Sequence, residues 1–121
     1  YHPIDYSSLV KYHREKSSPL TMTVTIERES MNLHHEGGRL IQYSKQQEPP
    51  PTFNGYEAGT SIVSKSVVLE HGKDGPWSWE NTIYSAMANE IHVHLDSTKF
   101  WDMGTPERLE KLNRFFNESS L

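Results

Sequence analysis

The chain has no cysteine among its 121 residues. That single absence excludes disulfide cross-links, thiolate zinc sites and cysteine nucleophiles. Long apolar runs are missing too. Nothing approaches the length a membrane-spanning helix requires, and no charged-then-apolar leader is visible. Nor is there a basic excess: 12 Lys+Arg stand against 16 Asp+Glu, a formal net charge of −4. A nucleic-acid binder carries clustered positive charge, so neither nucleic acid nor membrane is an expected partner. Apolar residues are scarce, at 34% of the chain, and Leu, Ile, Val and Phe together number 25. That is near the composition at which chains stop folding, although the small net charge works in the other direction. The length allows one domain at most. The expectation is a folded, cytoplasmic chain with a thin core, part of something larger.

Local signals divide the chain into elements. Asp5 is a suitable N-cap, and Tyr6, Leu9, Val10 and His13 follow at helical spacing. Pro19 ends that helix by pushing Ser18 out of helical geometry. Residues 20–26 alternate apolar side chains with threonine, which predicts a strand with one buried face. A polar stretch then leads to Gly37-Gly38, and His34-His35 beside it reads as part of that turn. Residues 39–45 form a second predicted strand. Pro49-Pro50-Pro51 closes a biased stretch that predicts a stiff exposed loop.

Beyond it, residues 58–63 predict a buried strand, residues 66–70 a short helix, and Ser78 the cap of a helix burying Ile83, Tyr84 and Met87. Residues 90–96 alternate again, with Ile91, Val93 and Leu95 opposite His92, His94 and Asp96. The last element starts at Thr105-Pro106-Glu107, where a cap, a helix-initiating proline and an acidic first turn coincide. Leu109, Leu112, Phe115 and Phe116 are its expected buried stripe. Strands alternating with helices, without a repeat period, predict a layered α/β fold.

Two constellations carry possible chemistry. His92-Val93-His94, with Asp96 and Glu90 on the same strand face, has adequate spacing for a divalent transition metal. The same residues also describe a solvated polar strand face. The second is Trp101-Asp102-Met103-Gly104-Thr105-Pro106-Glu107-Arg108-Leu109, with a carboxylate at a strand-to-helix corner, a turn glycine and a capped helix start. Corners of this kind hold ligands and Mg²⁺ in α/β sheets, although a turn carboxylate is more often simply a cap. Neither a Gly-x-Ser-x-Gly elbow nor a Walker-type phosphate loop occurs.

The Trp101–Leu109 stretch resembles the W-x-D-I-G-T-P-E-x-L signature near the C-terminus of sugar-1-phosphate nucleotidyltransferases, also called nucleoside-diphosphate-sugar pyrophosphorylases. Further pieces follow in that family's order. Asp5 through His13-Arg14 resembles its D-x-x-x-L-x-x-x-H-R helix, and residues 20–26 the strand after it. Gly38-Arg39-Leu40-Ile41-Gln42-Tyr43-Ser44-Lys45 is similar to G-R-I-x-x-F-x-E-K, and Glu57-Ala58-Gly59-Thr60-Ser61-Ile62-Val63 to N-A-G-I-Y-V-F. The resemblance spans the chain but only the family's second half. The glycine-rich loop, its downstream lysine and the Gly-Asp metal pair have no counterpart in residues 1–121.

The resemblance therefore implies that residues 1–121 are a single partial domain, the sugar-phosphate-binding half of a Rossmann-like, GT-A-like fold whose mixed sheet is flanked by helices. It implies an enzyme of nucleotide-sugar biosynthesis that transfers a nucleotidyl group from a nucleoside triphosphate to a sugar-1-phosphate and releases pyrophosphate. Asp102 would be the catalytic carboxylate on Mg²⁺, Lys45 would contact the sugar phosphate, and Glu57, Ala58 and Gly59 would line the sugar pocket. The N-terminal half of the same domain is the implied partner, a homo-oligomer is compatible with it, and these residues alone would be inactive. Ser44 and Glu57 depart from the family's usual glutamate and asparagine. A non-catalytic sugar-phosphate-sensing module on the same fold is the alternative they motivate.

Overall fold

A computed structural model describes residues 1–26, 30–46 and 48–120. Helix α1 (Tyr6–Glu15) starts where Asp5 accepts the Ser8 amide at 3.1 Å. It ends at Lys16, after which Ser17 takes a left-handed turn at φ 48°. The strands are β1 (Leu20–Thr25), β2 (Leu33–Glu36), β3 (Arg39–Tyr43), β4 (Tyr56–Val63) and β5 (His92–Leu95). Helix α2 (Lys65–His71) follows β4, a π-helical turn (Glu80–Tyr84) precedes β5, and α3 (Pro106–Ser119) closes the described chain. The sheet order is β2-β3-β5-β1-β4, with β1 and β5 parallel and the other pairs antiparallel. The protein is thus α/β, with a five-stranded mixed open sheet flanked by helices, as expected at that level.

One sheet face is apolar. Leu20, Met22 and Val24 of β1 and Val93 of β5 pack with Leu33, Leu40, Val67, Ile83, Tyr84, Met87 and Ile91. Each such side chain removed from water contributes at most about 1.5–3 kcal/mol. The other face is polar and still buried. All six residues of β1 are inaccessible, where the alternation predicts only one buried face. The reason is α1, which lies over the threonines: His13 Nδ1 sits 2.8 Å from Thr21 Oγ1, and the Tyr12 hydroxyl donates to the Val93 carbonyl at 2.9 Å. In the predicted α1 stripe Leu9 is buried, whereas Tyr6 is 60% exposed.

Three further expectations are corrected. Residues 33–36 form an edge strand rather than a polar turn, because Leu33 is fully buried and pairs with Tyr43 across the Gly37-Gly38 hairpin. Both glycines take positive φ (56° and 75°), as a tight hairpin turn demands. Leu95, expected on the apolar face, is 57% exposed at the end of its strand. In α3 only Leu112 is buried; Leu109, Phe115 and Phe116 are 44%, 37% and 43% exposed. That helix meets the body through rings rather than a continuous stripe: Phe115 lies 4.8 Å from Trp101, and Phe116 5.0 Å from Tyr1. In the proline stretch Pro51 is exposed while Pro49 and Pro50 are half-buried, and Gln47 lies outside the described residues.

The two edges of the sheet approach one another at Gly55, just ahead of β4. Gly55 forms an isolated antiparallel bridge with Leu33 of β2. A Cβ built at Gly55 would stand 2.6 Å from Val24 Cγ1 and 2.9 Å from Leu33 Cδ1, so only glycine fits that approach. This junction brings the end of β3, through its partner β2, next to the start of β4.

Candidate functional site

Lys45 leaves the sheet two residues after β3, and its ammonium donates to Glu80 Oε1 at 2.8 Å. The lysine side chain is 66% exposed and that of Glu80 28%. Ser78 Oγ donates to the other Glu80 oxygen at 3.1 Å, anchoring it at the first residue of the π-helical turn. The shared hydrogen bond holds the Lys45 ammonium above its usual range and the Glu80 carboxyl below its own.

Glu57 sits at the second position of β4, where its amide donates to Asn32 Oδ1 at 2.9 Å. Its carboxylate accepts the Gly59 amide at 2.7 Å, curling back along its own strand. Burial pushes the Glu57 carboxyl above the ordinary range; the Gly59 bond opposes this, Glu80 adds to it and Lys45 offsets it. The rings of Tyr43 and Tyr84 meet edge-on at 4.9 Å beside these charges. Burial and then the Glu57 carboxylate drive both phenols well above their usual range, so they are protonated donors at neutral pH.

The structure therefore groups Lys45 with Glu57 and adds Glu80, Tyr43 and Tyr84, which sequence reasoning did not select. Tyr43 stands within the Gly38–Lys45 motif and Tyr84 on the predicted helix face, yet neither was singled out as a site residue, and no local motif marks Glu80. Ala58 is 2% exposed, so its methyl group is packed inward. Gly59 takes φ 80°, a conformation that favours glycine, with no protein atom within 4 Å of where a Cβ would stand.

Asp102 is held differently. Its Oδ1 accepts the Gly104 amide at 2.8 Å and its Oδ2 accepts from Arg108 of α3. Thr105 caps the same helix by accepting the Arg108 amide at 3.3 Å. Trp101 exchanges both backbone hydrogen bonds with Tyr1, at 2.6 and 2.7 Å, and carries the Lys99 ammonium 3.8 Å above its ring. The chain leading to Asp102 passes the start of β4, where the Phe100 ring lies 6.1 Å from that of Tyr56, the neighbour of Glu57.

The His92–His94 face is not solvated. His92 is 8% exposed, with Nδ1 2.8 Å from Ser18 Oγ, and His94 packs against Tyr12 at 5.1 Å. The Ser18 hydroxyl donates to the Leu20 carbonyl at 2.6 Å, so it accepts from His92, which carries its proton on Nδ1. Burial, reinforced by Arg39, Lys16 and His13, holds His92 below the usual imidazole range. Among the described residues no group of three or more His, Cys, Asp or Glu side chains is arranged to hold a metal ion, and no helix is long and apolar enough to cross a membrane.

No family model matches the chain, and a search of curated proteins finds no match to it.

Proposed function

We propose that this chain is the sugar-phosphate half of a Rossmann-like, GT-A-like nucleotidyltransferase domain that joins a nucleoside triphosphate to a sugar-1-phosphate. The observation that carries the reading is the convergence of Lys45 and Glu57. Lys45 follows β3 and Glu57 lies on β4, and they share one electrostatic neighbourhood, with a mostly exposed ammonium and half-buried acceptors. In the reaction, a phosphate oxygen of the sugar-1-phosphate attacks the α-phosphorus. The new oxygen–phosphorus bond forms as the bond to pyrophosphate breaks, and the proteins that do this work by positioning and charge neutralisation. Lys45 meets the sugar phosphate as a point charge. Glu57 accepts hydrogen bonds from sugar hydroxyls, and the backbone at Ala58 and Gly59 borders them.

Asp102 is the proposed catalytic carboxylate. When bound, Mg²⁺ would neutralise phosphate charge. The described residues fit it only in part: Asp102 supplies one carboxylate, and both its oxygens are already engaged. Mg²⁺ is commonly held by one or two carboxylates plus substrate phosphates, so a second donor ahead of Tyr1 belongs to this reading. The proposed site of action is the cytoplasm.

The Arg108–Asp102 and Lys45–Glu80 pairs favour a second reading, a sugar-phosphate sensor in which the former reaction charges are neutralised internally. Pyrophosphate release by the full-length protein, measured across nucleoside triphosphates and sugar-1-phosphates, separates the two. Turnover that falls at least about a hundredfold in Asp102→Ala supports the enzyme, and undiminished turnover in that variant removes Asp102 from the chemistry. Calorimetric binding of sugar phosphate without turnover supports the sensor.

A further inference from the structure

Lys45 reaches Glu80 across thirty-five residues of sequence, and the two ends of that ion pair are unequal. Glu80 is fixed: Ser78 Oγ holds its second oxygen, and it stands at the base of the π-helical turn whose Ile83 and Tyr84 are buried in the core. Lys45 is an exposed arm beyond the end of β3, long enough to change partner by side-chain rotation alone. Glu57 lies close enough to act on both. Two carboxylates and one ammonium leave this neighbourhood with a net negative charge, an unfavourable setting for an anion.

From this geometry we infer that Glu80 is a built-in competitor for the phosphate group. In the unliganded protein it occupies Lys45, and a phosphate monoester binds only as the ammonium turns from the Glu80 carboxylate towards the incoming phosphate. Glu80 is then a positioning residue that sets phosphate affinity through Lys45. The inference rests on the proposed role of Lys45. A merely structural Glu80, one that holds Lys45 ready for its ligand, has the opposite signature, because removing its charge would release the lysine and weaken binding.

The test titrates the full-length protein with inorganic phosphate at low ionic strength and follows the Lys45 and Gly59 amide resonances by NMR. It compares wild type, Glu80→Gln and Lys45→Ala. Glu80→Gln keeps an oxygen to accept from Ser78, so the turn is preserved while the charge is lost. The expected result is phosphate binding about fivefold tighter in Glu80→Gln, equivalent to about 1 kcal/mol, and weakened binding in Lys45→Ala. Unchanged or weaker binding in Glu80→Gln, with Lys45→Ala still impaired, overturns the competitor and leaves the Lys45 role standing. Lys45→Ala binding like wild type, or no phosphate binding by wild type, overturns that role and the competitor with it.

Discussion

Arg108, in the first turn of α3, reaches back to the carboxylate of Asp102 in the turn that delivers the chain to that helix. The same carboxylate accepts the Gly104 amide, so one side chain closes the turn and pairs with the helix.

The two bonds differ in worth. The ion pair is partly exposed, with the Arg108 side chain 51% accessible; such pairs contribute about 0–1 kcal/mol. The amide bond is local and satisfies a backbone donor, worth about 1 kcal/mol. Arg108→Ala is therefore expected to shift urea unfolding by less than Asp102→Ala. An equal or larger loss in Arg108→Ala would assign the helix start to the ion pair.

Gly55 is a steric requirement of the sheet junction. In Gly55→Ala the new methyl group must displace Val24 Cγ1, 2.6 Å away, or Leu33 Cδ1 at 2.9 Å. The expected cost is about 1–3 kcal/mol in denaturant unfolding. Gly75→Ala is the comparison, since it has open space and only its φ of 78° to overcome; it should cost about 1 kcal/mol.

Glu57 should make the protein less stable as it ionises. Its folded-state carboxyl lies above the ordinary range because of burial, so the folded state holds a proton that the unfolded chain has already released. Stability is then fullest below the ordinary glutamate range and declines as pH rises through the folded value. Glu57→Gln, which still offers an oxygen to the Gly59 amide, should raise the melting temperature at pH 7 by a few degrees, with the gain vanishing in acid. A gain that persists in acid would trace to packing instead.

His92 has the opposite slope. Burial, with Arg39, Lys16 and His13 around it, depresses its folded-state value, so the unfolded chain takes up the proton first. Stability is present above the usual imidazole range and is lost as pH falls towards the folded value. Thermal unfolding between pH 7 and pH 5 should therefore decline more steeply in wild type than in His92→Asn. Parallel profiles would place the acid sensitivity elsewhere.

Caps and turns were legible because their chemistry is local. Asp5 and Thr105 each accept an amide three residues on, and Gly37-Gly38 makes the hairpin. Burial was less legible. The threonines of β1 read as an outward face because nothing in their own segment announces that α1 lies across them. The α3 stripe misled in the reverse direction: helical spacing marks which residues share a face and leaves open whether that face is covered. At the candidate site, Lys45, with Tyr43 in the same motif, and Glu57 were reachable through the resemblance, while Glu80 and Tyr84 enter only because distant segments meet there.

By itself, then, the amino-acid order determined where helices start, where the chain reverses and which class of fold it builds, since these follow from backbone donors, proline and glycine geometry, and short-range periodicity. Tertiary structure alone decided that Lys45 faces Glu80, that Gly55 joins the sheet edges and that the His92 face is buried. Those outcomes depend on contacts between residues tens of positions apart, whose free energy no single segment contains.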